Sequence, residues 1–520
     1  MSTSSENNKR IAKNTLFLYF RQLLVMAVSL YTVRVVLDVL GEVDYGIYNV
    51  VGGFVAMFNI LSGALSVAIG RFITYEMGQP DVTISSLRRI FSSSLVIQVI
   101  MGGIVCLLIG TFGLWFVEHK MVIPAGRLNV AFYVLLFSTL SFFINLLSVP
   151  YNALIIAHEQ MKAFAYISII EVILKLAVAY LLLVALSDKL LLYAFCMVLV
   201  SLIVRGIYAI YCKRHFDECH FVWRFDKQIL SKMFVFSGWA FLGNGSVVLK
   251  DQGSNILLNL FGGPVVNAAR GVAMQVSTAI YSFVLNFMQA SNPQITKNYA
   301  VRDLDAMHSL IIRSGKFSFF IMLVVLLPLC ADIDYVLRLW LTDVPEHTSS
   351  FVVLALMYCL IDCFVNPLIT GTLAQGDIKP FEITLTCIYT VNFLASYVCL
   401  KSGMVVESVF VLNIIFKAFV LVAQLAHAHS KFAFPVLRFC KECLLPSLAV
   451  FLVTVLFIGF LPGKEDSGFV FFVARTLGIA VSGCVAIFFV GMTKQEKVYL
   501  TQLLKEKVCL KLFRSSKQGM

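Results

Sequence analysis

Once the basic residues assigned to the loops and the helix ends beside them are set aside, eight remain within the long apolar runs of the chain: Arg21, Arg34, Lys175, Arg205, Lys250, Arg270, Lys417 and Arg475. The acids in such surroundings are few, chiefly Glu171, Asp251 and Asp362. A charge at the centre of a membrane helix costs roughly 2.5–3.5 kcal/mol on insertion scales, so a residue held there away from a helix end marks a site by default. The excess is positive, which suits an anionic cargo. Arg21 and Arg270 lead the candidates, because the guanidinium presents a planar fork of donors matched to phosphate oxygens. Lys175 and Lys417 join them as basic ligands. Arg34, Lys250 and Arg475 lie near the ends of their runs, where a long side chain can snorkel to the interface. Glu171 and Lys175 are four apart on one helix face, which also suits a mutual ion pair. Asp251, Glu171 and Asp362 are the candidate sites for a coupling proton or sodium ion.

Spacing gathers some of these residues into stripes. Asn244, Asp251, Asn255 and Asn259 are separated by seven, four and four positions, so an otherwise apolar helix carries four polar groups along one side. The next run repeats the pattern with Asn267, Arg270, Ser277 and Tyr281. Two consecutive helices therefore turn polar faces away from lipid, and Asn255 and Asn267 join the candidate ligands.

Enzyme chemistry finds little support. The chain has no H-E-x-x-H, phosphate-binding Walker loop or G-x-S-x-G, and its eight histidines lack ligand spacing. Cys440-Lys-Glu-Cys443 is a lone C-x-x-C without a second pair. No metal, cofactor or catalytic residue is expected.

The elements that position these residues are membrane helices. The chain is 59% apolar and only 13% charged, with mean hydropathy +0.88, whereas about a quarter of a soluble domain is charged. About 20 apolar residues span the hydrocarbon core. Fourteen such runs are present, near 14–38, 45–69, 91–117, 128–149, 163–187, 190–211, 234–260, 265–290, 310–331, 350–372, 381–400, 405–426, 444–461 and 468–491. Lys and Arg in short loops stay cytoplasmic. Alternate loops, counted with both termini inside, hold 27 of the 41 basic residues against 6 in the loops assigned outside. The chain thus reads as an all-α, multi-pass membrane protein with both ends cytoplasmic and no cleaved signal peptide. The net charge of +12 needs no nucleic acid: it is topology signal and attraction to anionic membrane lipids. The basic, apolar-striped tail after Thr493 reads as an amphipathic helix on the cytoplasmic leaflet.

One unit occurs twice. Adding 222 to Gly41, Ile73, Thr74, Asp81, Ile90 and Ser92 lands on Gly263, Ile295, Thr296, Asp303, Ile312 and Ser314. Pro150, Ala157 and Lys162 match Pro367, Ala374 and Lys379 at an offset of 217. These repeats imply two six-helix lobes, at 1–215 and 216–430, with two further helices and the tail at 431–520.

Longer stretches resemble a known family. Gly238-Trp239, Asp251-Gln-Gly-Ser-Asn255, Gly262-Gly-Pro-Val-Val-Asn267-Ala-Ala-Arg270-Gly271 and Asn292-Pro-Gln-Ile295 are similar to the Wzx-type flippases of lipid-linked oligosaccharides, as is Leu40-Gly-Glu-Val-Asp44-Tyr-Gly-Ile-Tyr48-Asn49. Those proteins share a superfamily with MATE exporters and the MurJ lipid II flippases. The resemblance implies two lobes around a central cavity, alternating access, and a cargo of sugar repeat units on undecaprenyl pyrophosphate in the cytoplasmic (inner) membrane of a bacterium. It implies handover to a polysaccharide polymerase and a chain-length regulator for O-antigen, capsule or exopolysaccharide. The alternatives are an ion-coupled MATE-type drug exporter, which would favour an acidic and aromatic cavity, and a membrane polysaccharide polymerase, which would want a substantial catalytic loop.

Overall fold

The computed structural model describes residues 2–56, 58–119, 123, 125–184, 188–222, 227–341, 344–460 and 469–498. Within these, some side chains, including those of Arg34, Asn259 and Asn267, lie outside the described residues. The described chain is helical, in the order α1 (Ser2–Ala56), α2 (Asn59–Gly78), α3 (Ile84–His119), α4 (Leu128–Ala157), α5 (Met161–Val184), α6 (Lys189–His215), α7 (Lys227–Ala300), α8 (Leu304–Ala331), α9 (Ile333–Trp340), α10 (Thr348–Gln375), α11 (Lys379–Lys401), α12 (Ser408–Phe432), α13 (Val436–Phe460) and α14 (Phe469–Gly491). Among the described residues, eleven helices are long and apolar enough to cross a membrane. The apolar runs at 14–38, 45–69 and 234–260 fall within α1, α1 with α2, and the first arm of α7.

The two longest helices are each two arms joined at a glycine. Gly41 interrupts α1 with φ 75°, ψ 169°, and Gly263 interrupts α7 with φ 77°, ψ −174°. This region of backbone space is essentially closed to residues with a Cβ. The two glycines are the pair related by the 222-residue offset, so the duplication survives as one repeated joint. In the first copy, a turn at Phe58 separates the second arm of α1 from α2, whereas the second copy continues unbroken to Ala300. α4 and α10 also match, each carrying a proline at the equivalent position, Pro150 and Pro367.

Burial follows the duplication. One apolar cluster joins α1–α6 through residues such as Leu18, Phe91, Leu135 and Leu182. A second joins α7–α14 through Leu258, Leu323, Phe351 and Phe439. A smaller cluster, Ala64 and Ala68 against Phe236, Ala240 and Ile378, bridges them. α13 and α14 pack on α8, and Arg475 of α14 donates to the buried Asp332 at 3.1 Å, its own side chain 10% exposed. The expected snorkelling of Arg475 is thus replaced by an ion pair, because the acid at the α8–α9 elbow lies within reach. α9 occupies a stretch expected to be an external loop, its Ile333 and Leu337 buried and Trp340 exposed.

Candidate functional site

Arg270 stands on the second arm of α7, seven residues beyond the Gly263 joint. The joint folds it back toward the first arm, where its Nη2 donates to the backbone carbonyl of Asp251 at 2.8 Å and its Nη1 to Asn255 Oδ1 at 3.3 Å. Two residues of the polar stripe thus hold the guanidinium. The Asp251 carboxylate is engaged elsewhere, by Lys250 Nζ at 3.0 Å. Lys250 is not at a boundary but buried, its ammonium 3.3 Å from the Tyr358 hydroxyl. Lys417, also buried, pairs with Asp362 and faces the same Tyr358 ring from 5.1 Å. One aromatic ring therefore separates two lysine–aspartate pairs. In both pairs the ammonium is the more deeply buried partner, so removing the acid would leave a buried charge uncompensated.

In the first lobe, Glu171 and Lys175 form the pair their spacing predicts, at 2.6 Å. They border a cavity of about 260 Å³ lined also by Tyr48, Asn59, Asn145 and Ser201. Arg21 reaches across to the other lobe. Its Nη2 donates to Asn286 Oδ1 at 3.1 Å, and its guanidinium lies 4.7 Å from the Phe164 ring centre. Asn286 is sixteen residues beyond Arg270, about 24 Å along a helix, so the two arginines stand at different depths along α7. Among the described residues neither makes an ion pair. The side chain of Asn267 lies outside the described residues.

The described contacts between the lobes concentrate at one end. Arg71 of α2 donates to the carbonyls of Leu373 and Ala374, both at 3.2 Å. Glu159, just past α4, receives Gln294 Nε2 at 2.5 Å and Lys297 Nζ at 2.9 Å. Gln79 Nε2 reaches the Ala300 carbonyl at 3.2 Å, and the Tyr75 and Tyr299 rings lie 6.3 Å apart. These residues adjoin the loops that the positive-inside count places in the cytoplasm. Sequence reasoning treats Arg71 and Lys297 as topological charge and overlooks Glu159, since a basic residue near a helix end looks the same in both roles. The signal available was position, because all three sit inside the repeated blocks.

This arrangement of two duplicated helix groups is a MATE-like fold. A MATE structure in the bent conformation superposes with TM-score 0.73 at 14% identity, covering 82% of this chain and 96% of that one. A MOP-superfamily transporter from Pyrococcus furiosus gives 0.68 at 13%, covering 81% and 96%. A variant of the Vibrio cholerae MATE transporter VcmN gives 0.69 at 15%, covering 83% and 99%. Residues 11–299, more than half of the chain, match the family model described as polysaccharide biosynthesis protein, and the chain belongs to that family. A search of curated proteins returns no match. Family and fold are those of membrane transporters and flippases, not of catalytic enzymes.

Proposed function

We propose that this protein flips undecaprenyl-pyrophosphate-linked oligosaccharide repeat units from the cytoplasmic to the outer leaflet of a bacterial inner membrane, by alternating access between two lobes, residues 1–215 and 216–430. Residues 431–520 form an appended membrane segment, and both termini are cytoplasmic. The observation that carries this reading is the pair of intramembrane guanidiniums, Arg21 and Arg270, held only by neutral groups. The diphosphate and sugar hydroxyls of such a cargo would lose several kcal/mol for each polar group left unsatisfied in hydrocarbon. A fork of donors already desolvated and hydrogen-bonded only to neutral groups supplies that lost solvation. Asn255 orients Arg270, while Lys175 and Lys417 are released to cargo only if their acids take up a proton or another cation, which gives Glu171 and Asp362 a coupling role. Asp251 has the same relation to Lys250. The product leaflet is where a polymerase and its chain-length regulator would take over.

Deleting the gene and probing lipid-linked repeat units with a membrane-impermeant lectin or oxidant tests this. Accumulation on the cytoplasmic side is the expected result. Normal flipping with unpolymerised units would favour a polymerase, and unaltered glycan with heightened sensitivity to cationic drugs would favour an exporter.

A further inference from the structure

We infer that the cytoplasmic side is shut by two matched latches, in each of which a side chain from one lobe grips the C-terminal cap of a helix in the other. The inference rests on the alternating-access reading above and adds the residues that hold one of its states.

The first latch is Arg71. α10 ends at Gly376, which takes the left-handed conformation with φ 94°. The last carbonyls of a helix have no intrahelical donor and form the negative end of its dipole. Arg71 enters there from α2 and binds two of them, at Leu373 and Ala374. A Cβ at position 376 would collide with its guanidinium, so this glycine serves both the turn and the docking. The rings of Phe72, Tyr75 and Phe236 surround the cation, 4.8, 4.8 and 5.7 Å from it.

The second latch occupies the matching cap. The 217-residue offset that carries Ala157 to Ala374 carries Glu159 to Gly376. Glu159 is likewise left-handed, with φ 58°, a conformation few residues other than glycine adopt. Here the cap supplies a carboxylate rather than space. Its side chain is 1% exposed and is held by Gln294 and Lys297 from the end of α7. α7 ends there as α2 ends at the first latch: adding 222 to 78 gives 300, and a Cβ on Gly78 would stand 2.6 Å from that of Ala300. The two latches flank this crossing as a pseudo-twofold pair. The first uses backbone acceptors and the second a side chain, so the two matched caps are held by different chemistries, from residues that are not themselves equivalents: the 222-residue offset carries Arg71 to Pro293 and Tyr75 to Lys297.

Both latches cross between the large apolar clusters of the two lobes, so they must part before cargo can enter from the cytoplasm. The test is electron–electron distance measurement in the full-length protein with all thirteen native cysteines replaced. Spin labels go at 81 and 305 on the cytoplasmic side and, in a second sample, at 118 and 339 on the outer side. The parent is expected to show one short cytoplasmic distance. Arg71→Gln and Lys297→Met should each move part of the population to a longer cytoplasmic and shorter outer distance, and the double variant should move most of it. Arg71→Lys, which keeps the charge but reaches one carbonyl, should give an intermediate shift. Exchanging the charges, Glu159→Lys with Lys297→Glu, should restore the parent distribution. Unchanged distances in a monodisperse double variant, or no recovery on exchange, would overturn the latches even if flipping is lost. Shifted distances in a protein whose deletion leaves lipid-linked glycan normally flipped would support the latches and overturn the assigned cargo.

Discussion

Arg270 is bound by a carbonyl and an amide, and that choice of partners decides what its replacement should do. Neither partner carries charge, so removing the guanidinium strands no ion in the membrane. Arg270→Ala is therefore expected to leave protein level nearly unchanged while abolishing flipping, and Arg270→Lys, a point charge without the fork, to reduce flipping severely. Quantifying protein by immunoblot beside leaflet accessibility of the lipid-linked units checks both. Full activity in Arg270→Ala would remove it from the site. The sequence already marked Asp251 and Asn255 on one polar stripe and Arg270 on the next, since period and charge are visible within each helix. It could not assign their partners, because Arg270 meets Asp251 through the backbone while the adjacent Lys250 takes the carboxylate. The same limit applies to Arg21, whose partner Asn286 lies 265 positions away.

At the scale of elements, the glycine joints of α1 and α7 separate two causes that usually mix. A Cβ built at Gly41 or Gly263 meets nothing within 4 Å, so a substitution there changes backbone preference and not packing. Gly41→Ala and Gly263→Ala are each expected to lower stability by about 1–3 kcal/mol, read as a drop in thermal unfolding midpoint in detergent. Similar losses at both positions would follow from the joint being one repeated structure. A different element, the segment after α14, is fastened by charge. Thr493 and Glu496 cap its first turn reciprocally, with backbone-to-side-chain bonds of 2.8 and 3.4 Å, and the same carboxylate pairs with Lys316 of α8 at 2.7 Å. Residues from 499 onward, where the amphipathic tail was expected, lie outside the described residues. Lys316 counted in sequence as a cytoplasmic loop charge, yet it is 2% exposed inside the helix. Its topological sign was legible, but its burial depends on a partner 180 residues away. Glu496→Gln should cost about 3–5 kcal/mol, and Lys316→Met with Glu496→Gln clearly less. A thermal-unfolding cycle over the two sites measures the difference.

For the whole molecule, the fold was legible because a bilayer imposes a coarse rule, about 20 apolar residues per crossing, and because the duplication left its glycines and prolines in register. The contacts between lobes were not, since they join residues hundreds of positions apart that look unremarkable in any window. α13 and α14 lie beyond the duplicated part, and their outward surfaces are apolar, with Leu452, Leu456, Val481 and Phe489 exposed. These helices are expected to contact the polyprenyl chain of the cargo. A photoactivatable polyprenyl substrate should label peptides from 444–491, and labelling confined to α1–α12 would exclude the role.

The attachment of that helix pair also sets which part of the molecule moves. α13 and α14 pack on α8, the salt bridges at Arg475 and Lys316 tie their segment to the same lobe, and among the described residues no comparable appendage loads the first lobe. In a viscous bilayer, a rocking motion divides between two bodies in inverse proportion to their drag. On the alternating-access reading proposed above, the second lobe, with its broader lipid-facing perimeter, is therefore expected to be the stator, and the six helices of the first lobe to make the larger excursion.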